Sequence, residues 1–195
     1  MIEALSNIVT GFGLSASAGL NAYIPLLIVA LLARFTDLIH LNAPYDALTS
    51  GWTIAALAIL VVVEGLVDKI PAVDTAYNIA QSLARPVAGA ILFAASSKVI
   101  TDIHPVLALI CGLLVAGTVH VAKTAVRPVI TAATAGVGDP VVSTAEDVVS
   151  GTVSLLSIVV PLVAVILIVI GVWLILRMLF RDREETRRMD GEVDA

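Results

Sequence analysis

The chain has 195 residues, of which 59% are hydrophobic and 14% charged, and its mean hydropathy is +1.03. A soluble domain usually carries about 25% charged residues, so the composition excludes an ordinary water-soluble fold. The formal net charge of −5 does not set orientation in a membrane, which follows the placement of Lys and Arg. With Cys111 as the only cysteine, an intramolecular disulfide and a cysteine metal cluster are both excluded.

One helical membrane domain accounts for the whole length. At about 20 residues per span, the chain is long enough for five or six helices and leaves no stretch for a separate soluble domain. The sequence predicts an all-α, polytopic transmembrane helix bundle over residues 1–178 and a charged cytoplasmic tail over 179–195. The lipid bilayer is the expected partner, and a homo-oligomer is left open. No cofactor is expected, and no nucleic acid either, because basic residues cluster only in the tail, where acids interleave.

The first two predicted spans contain a break and an acidic pair. Residues 4–33 carry no charge, but small residues precede Asn21 and Pro25 follows it. A helical proline leaves the carbonyl four residues earlier without its partner, so a broken or kinked helix is expected here. After a polar loop, a second span is predicted at about 52–70. Within it, Glu64 and Asp68 lie one turn apart on one face.

Each of the three later helices carries polar residues at helical spacing. These stripes are Asp74, Asn78, Gln81 and Arg85 on a helix at about 74–98; His120, Lys123 and Arg127 on a helix that begins near Pro105; and Asp139, Ser143, Glu146, Ser150, Ser154 and Ser157 on a helix that begins at Asp139-Pro140. Asp74 is alternatively an N-cap. Polar stripes cannot face lipid, so they are expected to face each other or a water-filled cavity.

Four prolines interrupt the backbone hydrogen bonding of these helices. Because a helical proline leaves the carbonyl four residues earlier without its donor, the backbone carbonyls that are freed belong to Asn21, Ser82, Thr124 and Ser157. Each of these four residues also has a polar side chain. Broken helices with polar backbone near mid-membrane are typical of the binding sites of transporters. The prolines therefore favour a functional interior over a merely structural one.

The signs of the charges predict which side chains pair. Glu64 and Asp68 are expected to neutralise Lys123 and Arg127, and Arg85 is expected to meet Glu146 or Asp147. The candidate binding or pathway residues are Asn21, Glu64, Asp68, Asp74, Arg85, His120, Lys123, Arg127, Glu146 and Asp147.

Transport or permeation of a small polar solute or ion is the preferred function. Proton coupling through His120 is considered because histidine is the residue type whose unperturbed pKa lies near neutrality. One alternative is a structural or accessory protein held by a buried salt-bridge network. Another is a membrane-embedded metal-dependent enzyme with Glu64, Asp68, His120 and Glu146 as ligands for Mg²⁺ or Mn²⁺. No nucleophile elbow, P-loop, dinucleotide fingerprint or zinc-binding helix motif occurs, so an enzyme is the less favoured reading.

The charged motifs occur together in a specific order: Glu64-Gly-Leu-Val-Asp68-Lys69-Ile-Pro71, Arg85-Pro86-x-x-Gly89, His120-x-x-Lys123-x-x-x-Arg127 and Glu146-Asp147. With Gly19-Leu-Asn-Ala-Tyr-Ile-Pro25, this pattern resembles an uncharacterised bacterial membrane family, a domain of unknown function, over about residues 10–155. The resemblance implies a prokaryotic, multi-pass protein of the cytoplasmic membrane and supplies no activity. The five arginines between Arg177 and Arg188 predict a cytoplasmic C-terminus.

Overall fold

The computed structural model describes residues 2–67, 71–97 and 104–160, and the regular elements in these ranges are all helical. They are α1 (Ile2–Leu20), α2 (Tyr23–Phe35), a short 3₁₀ helix (Tyr45–Thr49), α3 (Gly51–Val67), α4 (Pro71–Ser97), α5 (Pro105–Thr134) and α6 (Asp139–Val160). The predicted all-α helical bundle is confirmed. Asp68, Pro161 and the arginine-rich tail lie outside the described residues.

Three of the described helices are long and apolar enough to cross a membrane. These are α5 with 30 residues, α6 with 22, and the 18-residue stretch Ile79–Ser96 of α4. Helices α2 and α3 are apolar but have only 13 and 17 residues, short of a hydrocarbon core of about 30 Å at a rise of about 1.5 Å per residue. Exposed valines and leucines cover the outer faces of α5 and α6, a surface that suits lipid. The protein is therefore a membrane protein.

The contacts between helices set their directions. Ser15 of α1 donates a hydrogen bond to the carbonyl of Gly89 on α4. Phe12, which is earlier in α1, packs against Phe93, which is later in α4. Helices α1 and α4 are therefore antiparallel. Helix α5 is antiparallel to α4, since Pro86 lies near Gly117 while Gly89 lies against Gly112. Consequently α5 runs in the same direction as α1.

Helix α6 runs opposite to α1, because Thr10 contacts Ser157 whereas Asn21, later in α1, contacts Asp147, earlier in α6. The end of α1, the end of α5, the beginning of α4 and the beginning of α6 therefore share one end of the bundle. We call this end the charged half. It contains Asn21, Glu64, Arg85, His120, Lys123, Arg127, Glu146 and Asp147.

The other end of the bundle is packed with apolar and small side chains. Leu14 and Leu92 are almost fully buried there, and Phe12 and Phe93 meet edge to face with their centroids 5.0 Å apart. Helices α4 and α5 approach closely at glycines, because a Cβ added to Gly89 would collide with the Cβ of Ala116. Small residues permit this closeness of membrane helices. The charged half thus adjoins an apolar half in which α4 and α5 are in close contact.

The predicted break after the small residues of the first span is confirmed. Helix α1 ends at Leu20 and α2 begins at Tyr23, so Asn21 and Ala22 separate them. The third predicted helix begins earlier than expected, at Pro71, a residue suited to the first helical turn. The prediction of Asp74 as an N-cap is therefore wrong, since Asp74 already lies within α4; its side chain is outside the described part of the structure.

Candidate functional site

Arg85 lies at the centre of the charged half. Its Nη2 donates to Glu64 Oε1 at 3.0 Å, and both side chains are 1% exposed. Its Nη1 lies 3.2 Å from His120 Nδ1. An arginine has no acceptor, so Nδ1 of His120 must accept and the imidazole carries its hydrogen on Nε2. The single guanidinium therefore joins α3, α4 and α5.

Lys123 forms the second junction, one turn further along α5. Its Nζ donates to the carbonyl oxygen of Leu20 at 2.9 Å and forms an ion pair with Glu146 Oε2 at 2.8 Å. The lysine side chain is 4% exposed and the glutamate 16%. Lys123 therefore connects α5 with α6 and with the last residue of α1, at the helix break.

Asn21 explains why the Leu20 carbonyl needs a donor. The Oδ1 atom of Asn21 accepts from the backbone N–H groups of Tyr23 and Ile24, both at 2.9 Å, which caps the beginning of α2. In an unbroken helix, the N–H of Ile24 would bind the Leu20 carbonyl. Because Asn21 takes that donor, Lys123 supplies the replacement. The amide nitrogen of Asn21 in turn donates to Asp147 Oδ1 at 2.8 Å.

The remaining polar stripe of α6 faces α1. Ser17 of α1 contacts the hydroxyls of Ser150 and Ser154, and all three are fully buried. Thr10 donates to the carbonyl of Ser157 at 2.8 Å, and this is one of the carbonyls that the prolines were predicted to free. These hydroxyls hydrogen-bond to one another and to backbone, so they join the two helices.

A cavity of about 420 Å³ adjoins the two ion pairs on the α4–α5 side. Its described lining consists of Arg85, Lys123, Thr124, Arg127, Pro128, Thr131 and Ala132. The guanidinium Nε of Arg85 has no hydrogen-bond partner among the described residues, although the side chain is buried. The described lining thus combines three cationic side chains with two threonines.

The structure brings most of the predicted site residues together but corrects their pairing. Arg85 meets Glu64 rather than Glu146 or Asp147, because the end of α3 packs beside α4. Lys123 meets Glu146 rather than Glu64, because α6 begins beside the end of α5. The predicted role of Asp68 concerns a residue outside the described ranges, and the same holds for the side chain of Asp74.

Sequence reasoning missed Thr124 and Thr131 as lining residues. Both lie on the face of α5 that carries Arg127, at spacings of 3 and 4, so helical periodicity could have included them. Gln81 was predicted only as a member of a stripe. It is 1% exposed, and neither amide atom has a hydrogen-bond partner among the residues described.

Two of the candidate metal ligands, Glu64 and Glu146, belong to different ion pairs. Glu64 is bound by Arg85 and Glu146 by Lys123. Within the described ranges, no group of three or more His, Cys, Asp or Glu residues is placed to hold a metal ion. Their arrangement therefore adds no support to the metal-dependent enzyme.

Comparison with known proteins identifies a family and nothing more specific. The model of a domain of unknown function (DUF4126) matches residues 8–181, which covers nearly the whole chain. No curated protein and no solved structure matches.

Proposed function

This chain belongs to the DUF4126 family, a domain of unknown function, and we propose that it transports a small polar solute or ion across the membrane through its charged half. The observation that carries the proposal is the cavity of about 420 Å³ beside the two buried ion pairs. A network that served only to hold helices together would gain from close packing, because a void forfeits van der Waals contacts. Space beside permanent cations instead suits a polar ligand.

Arg85 and Lys123 are placed to couple ligand binding to helix movement. Each borders the cavity and also holds a carboxylate on another helix. A ligand that binds these cations competes with Glu64 and Glu146, so it favours an arrangement in which those contacts are weaker. Lys123 in addition supports the α1–α2 break, and discontinuous helices of this kind surround the substrate in many transporters.

His120 supplies a route for coupling to protons. Its Nδ1 accepts from Arg85, so a proton that binds there removes this hydrogen bond and places two cations side by side. Protonation would then release Arg85 for other partners. This supports proton-coupled transport over passive permeation.

The proposal places the protein in the cytoplasmic membrane of a bacterium as a multi-pass protein. The arginines from Arg177 to Arg188 follow the apolar segment that ends at Leu176. Basic residues close to a span remain on the cytoplasmic side, so the C-terminus is cytoplasmic in this proposal.

Water access to the cavity is tested with single cysteines in a Cys111→Ala background. Thr124→Cys lines the cavity, whereas Val121→Cys lies one turn away and is 67% exposed on the outer face of α5. A charged, water-soluble thiol reagent should modify Thr124→Cys in intact membranes and leave Val121→Cys unmodified, because lipid excludes the reagent and suppresses the thiolate. Protection of both cysteines would support the structural role instead.

Transport itself is tested with purified protein in liposomes. Vesicles are shocked with urea, potassium chloride or potassium phosphate, and their volume is followed by light scattering. The protein should speed recovery for at least one solute, and Glu64→Gln should abolish the effect because it removes the anion that holds Arg85. Asp46→Asn is the matched control and should behave as wild type, because Asp46 is exposed on the short 3₁₀ helix before α3. Recovery no faster than in empty vesicles for all three solutes contradicts transport.

A further inference from the structure

We propose that the cavity between α4 and α5 binds a phosphate group, carried either by a soluble phosphate or by a lipid headgroup. The inference rests on the proposed function, whose ligand class it names. It starts from the charge of the described lining, in which Arg85, Lys123 and Arg127 are cationic and none of the described lining side chains is acidic.

The donors that remain on two of these cations decide what the cavity can recognise. Arg85 uses Nη1 for His120 and Nη2 for Glu64, which leaves the N–H of Nε without a partner among the described residues. An unpaired donor on a buried charged group is costly, so a ligand acceptor at this position would be favourable. An ammonium has three N–H groups, and Lys123 directs two of them to Leu20 and Glu146. The third N–H group has no acceptor among the described residues.

The two threonines do not compete for this role. Thr124 donates its hydroxyl hydrogen to the carbonyl of His120, and Thr131 donates to the carbonyl of Arg127 or to Asp139. Their oxygens therefore present lone pairs and not donors. Recognition of a ligand falls to the N–H groups of the cations, which form charge-assisted hydrogen bonds with anionic oxygens.

A phosphate group fits this arrangement better than a halide or a single carboxylate. It carries up to two negative charges and several acceptor oxygens that point in different directions, so it can accept separate bonds from Arg85 on α4 and Lys123 on α5. The cavity, at about 420 Å³, lies within the range of about 300–1,000 Å³ that is usual for small-molecule sites. It can therefore hold a phosphate with an organic group or headgroup attached.

The test is a calorimetric titration of inorganic phosphate into the full-length protein in phosphatidylcholine nanodiscs. Ionic strength is held constant with potassium chloride, and empty nanodiscs give the background. The wild-type protein should bind phosphate saturably. The double variant Lys123→Met/Glu146→Gln should bind it about tenfold or more weakly, since a hydrogen bond to a charged group is lost.

The double variant removes both members of the ion pair, so it leaves no unpaired charge and should stay folded. Arg34→Gln is the matched control, because Arg34 is a cation at the end of α2 that binds the carbonyl of Thr49 and does not line the cavity. Its affinity for phosphate should equal that of the wild type. Thermal unfolding confirms that each variant is folded.

A second series of nanodiscs, with added phosphatidic acid, separates the two sources. If soluble phosphate is the ligand, its affinity stays unchanged; if a lipid headgroup occupies the cavity, phosphatidic acid weakens phosphate binding in the wild type and not in the double variant. Phosphate heats equal to those of empty nanodiscs, or equal binding by wild type and double variant, overturn the inference. If the protein transports urea but does not bind phosphate, the phosphate inference is overturned and the transport proposal stands. If it binds phosphate but moves no solute, the transport proposal is overturned and the phosphate site stands.

Discussion

At the scale of single residues, the unusual feature is how completely Arg85 is buried for a permanently charged group. Its side chain is 1% exposed, and its polar contacts among the described residues are to Glu64 and His120. Burying an ion pair costs desolvation that the Coulomb attraction often only offsets, so well-packed apolar residues would give comparable stability. Stability alone therefore does not explain this pair, and the cavity that Arg85 lines supports a role in ligand binding.

The pairing of Arg85 can be tested by rescue. Arg85→Met leaves Glu64 buried without this partner, which typically costs about 3–5 kcal/mol. The variant should melt far below wild type in detergent, as followed by circular dichroism. Glu64→Gln in the same chain should recover much of the loss, because the buried carboxylate that Arg85 binds is then replaced by a neutral amide.

Glu146→Gln is the matched second change for this experiment. It removes a carboxylate of the charged half that Lys123 binds, so it should not rescue Arg85→Met. If Glu146→Gln rescues Arg85→Met and Glu64→Gln does not, Arg85 pairs with Glu146, as the sequence alone predicted, and not with Glu64.

At the scale of helices, periodicity predicted which faces are polar but not which faces meet. The structure confirms the break after α1 and the polar stripes of α5 and α6, because each depends only on neighbours in the chain. Of the α4 stripe it describes Gln81 and Arg85, which are both buried, while the side chains of Asp74 and Asn78 lie outside the described residues. The pairings Glu64 with Lys123 and Arg85 with Glu146 were wrong, because the order of helices in space depends on packing at positions such as Gly89 and Ala116. Thr124 was missed for a related reason, since a cavity is defined by two helices together.

The helix break depends on Asn21, which performs two tasks that substitutions can separate. Asn21→Ala removes the cap of α2 and should cost about 0.5–2 kcal/mol in thermal unfolding. Asn21→Asp keeps a capping oxygen, and at an ordinary N-cap it would be nearly neutral. Here it places a carboxylate against Asp147, so it should destabilise the protein as well.

Asn21→Asp combined with Asp147→Asn is the control for that repulsion. The double variant restores one carboxylate and one amide in contact, so its melting temperature should return close to that of the wild type. A melt of Asn21→Asp equal to wild type would show that the Asp147 contact does not form.

At the scale of the whole molecule, the buried charged groups among the described residues lie in one half of the bundle instead of along its full depth. The ion pairs and the cavity gather where α1 and α5 end and where α6 begins. The opposite half is filled by Leu14, Leu92 and the Phe12–Phe93 contact. For the transport that we propose, this asymmetry matters because alternating access requires a site that opens towards one side of the membrane at a time.

This asymmetry predicts that water reaches the cavity from one face of the membrane only. Thr124→Cys in the Cys111→Ala background should react with a membrane-impermeant thiol reagent in one of two preparations, right-side-out or inverted vesicles, and not in the other. A reporter that is active only in the cytoplasm should be active when fused after Ala195. This result identifies the preparation that exposes the C-terminal side.

Phe93→Ala removes a buried ring from the apolar half and leaves a void there, so it should allow reaction from the second face at a lower rate. Leu113→Ala, on the exposed face of α5, is the matched truncation and should leave access one-sided. If Thr124→Cys reacts equally from both faces while Phe93 is unchanged, water crosses the apolar half. The cavity would then belong to a continuous pore.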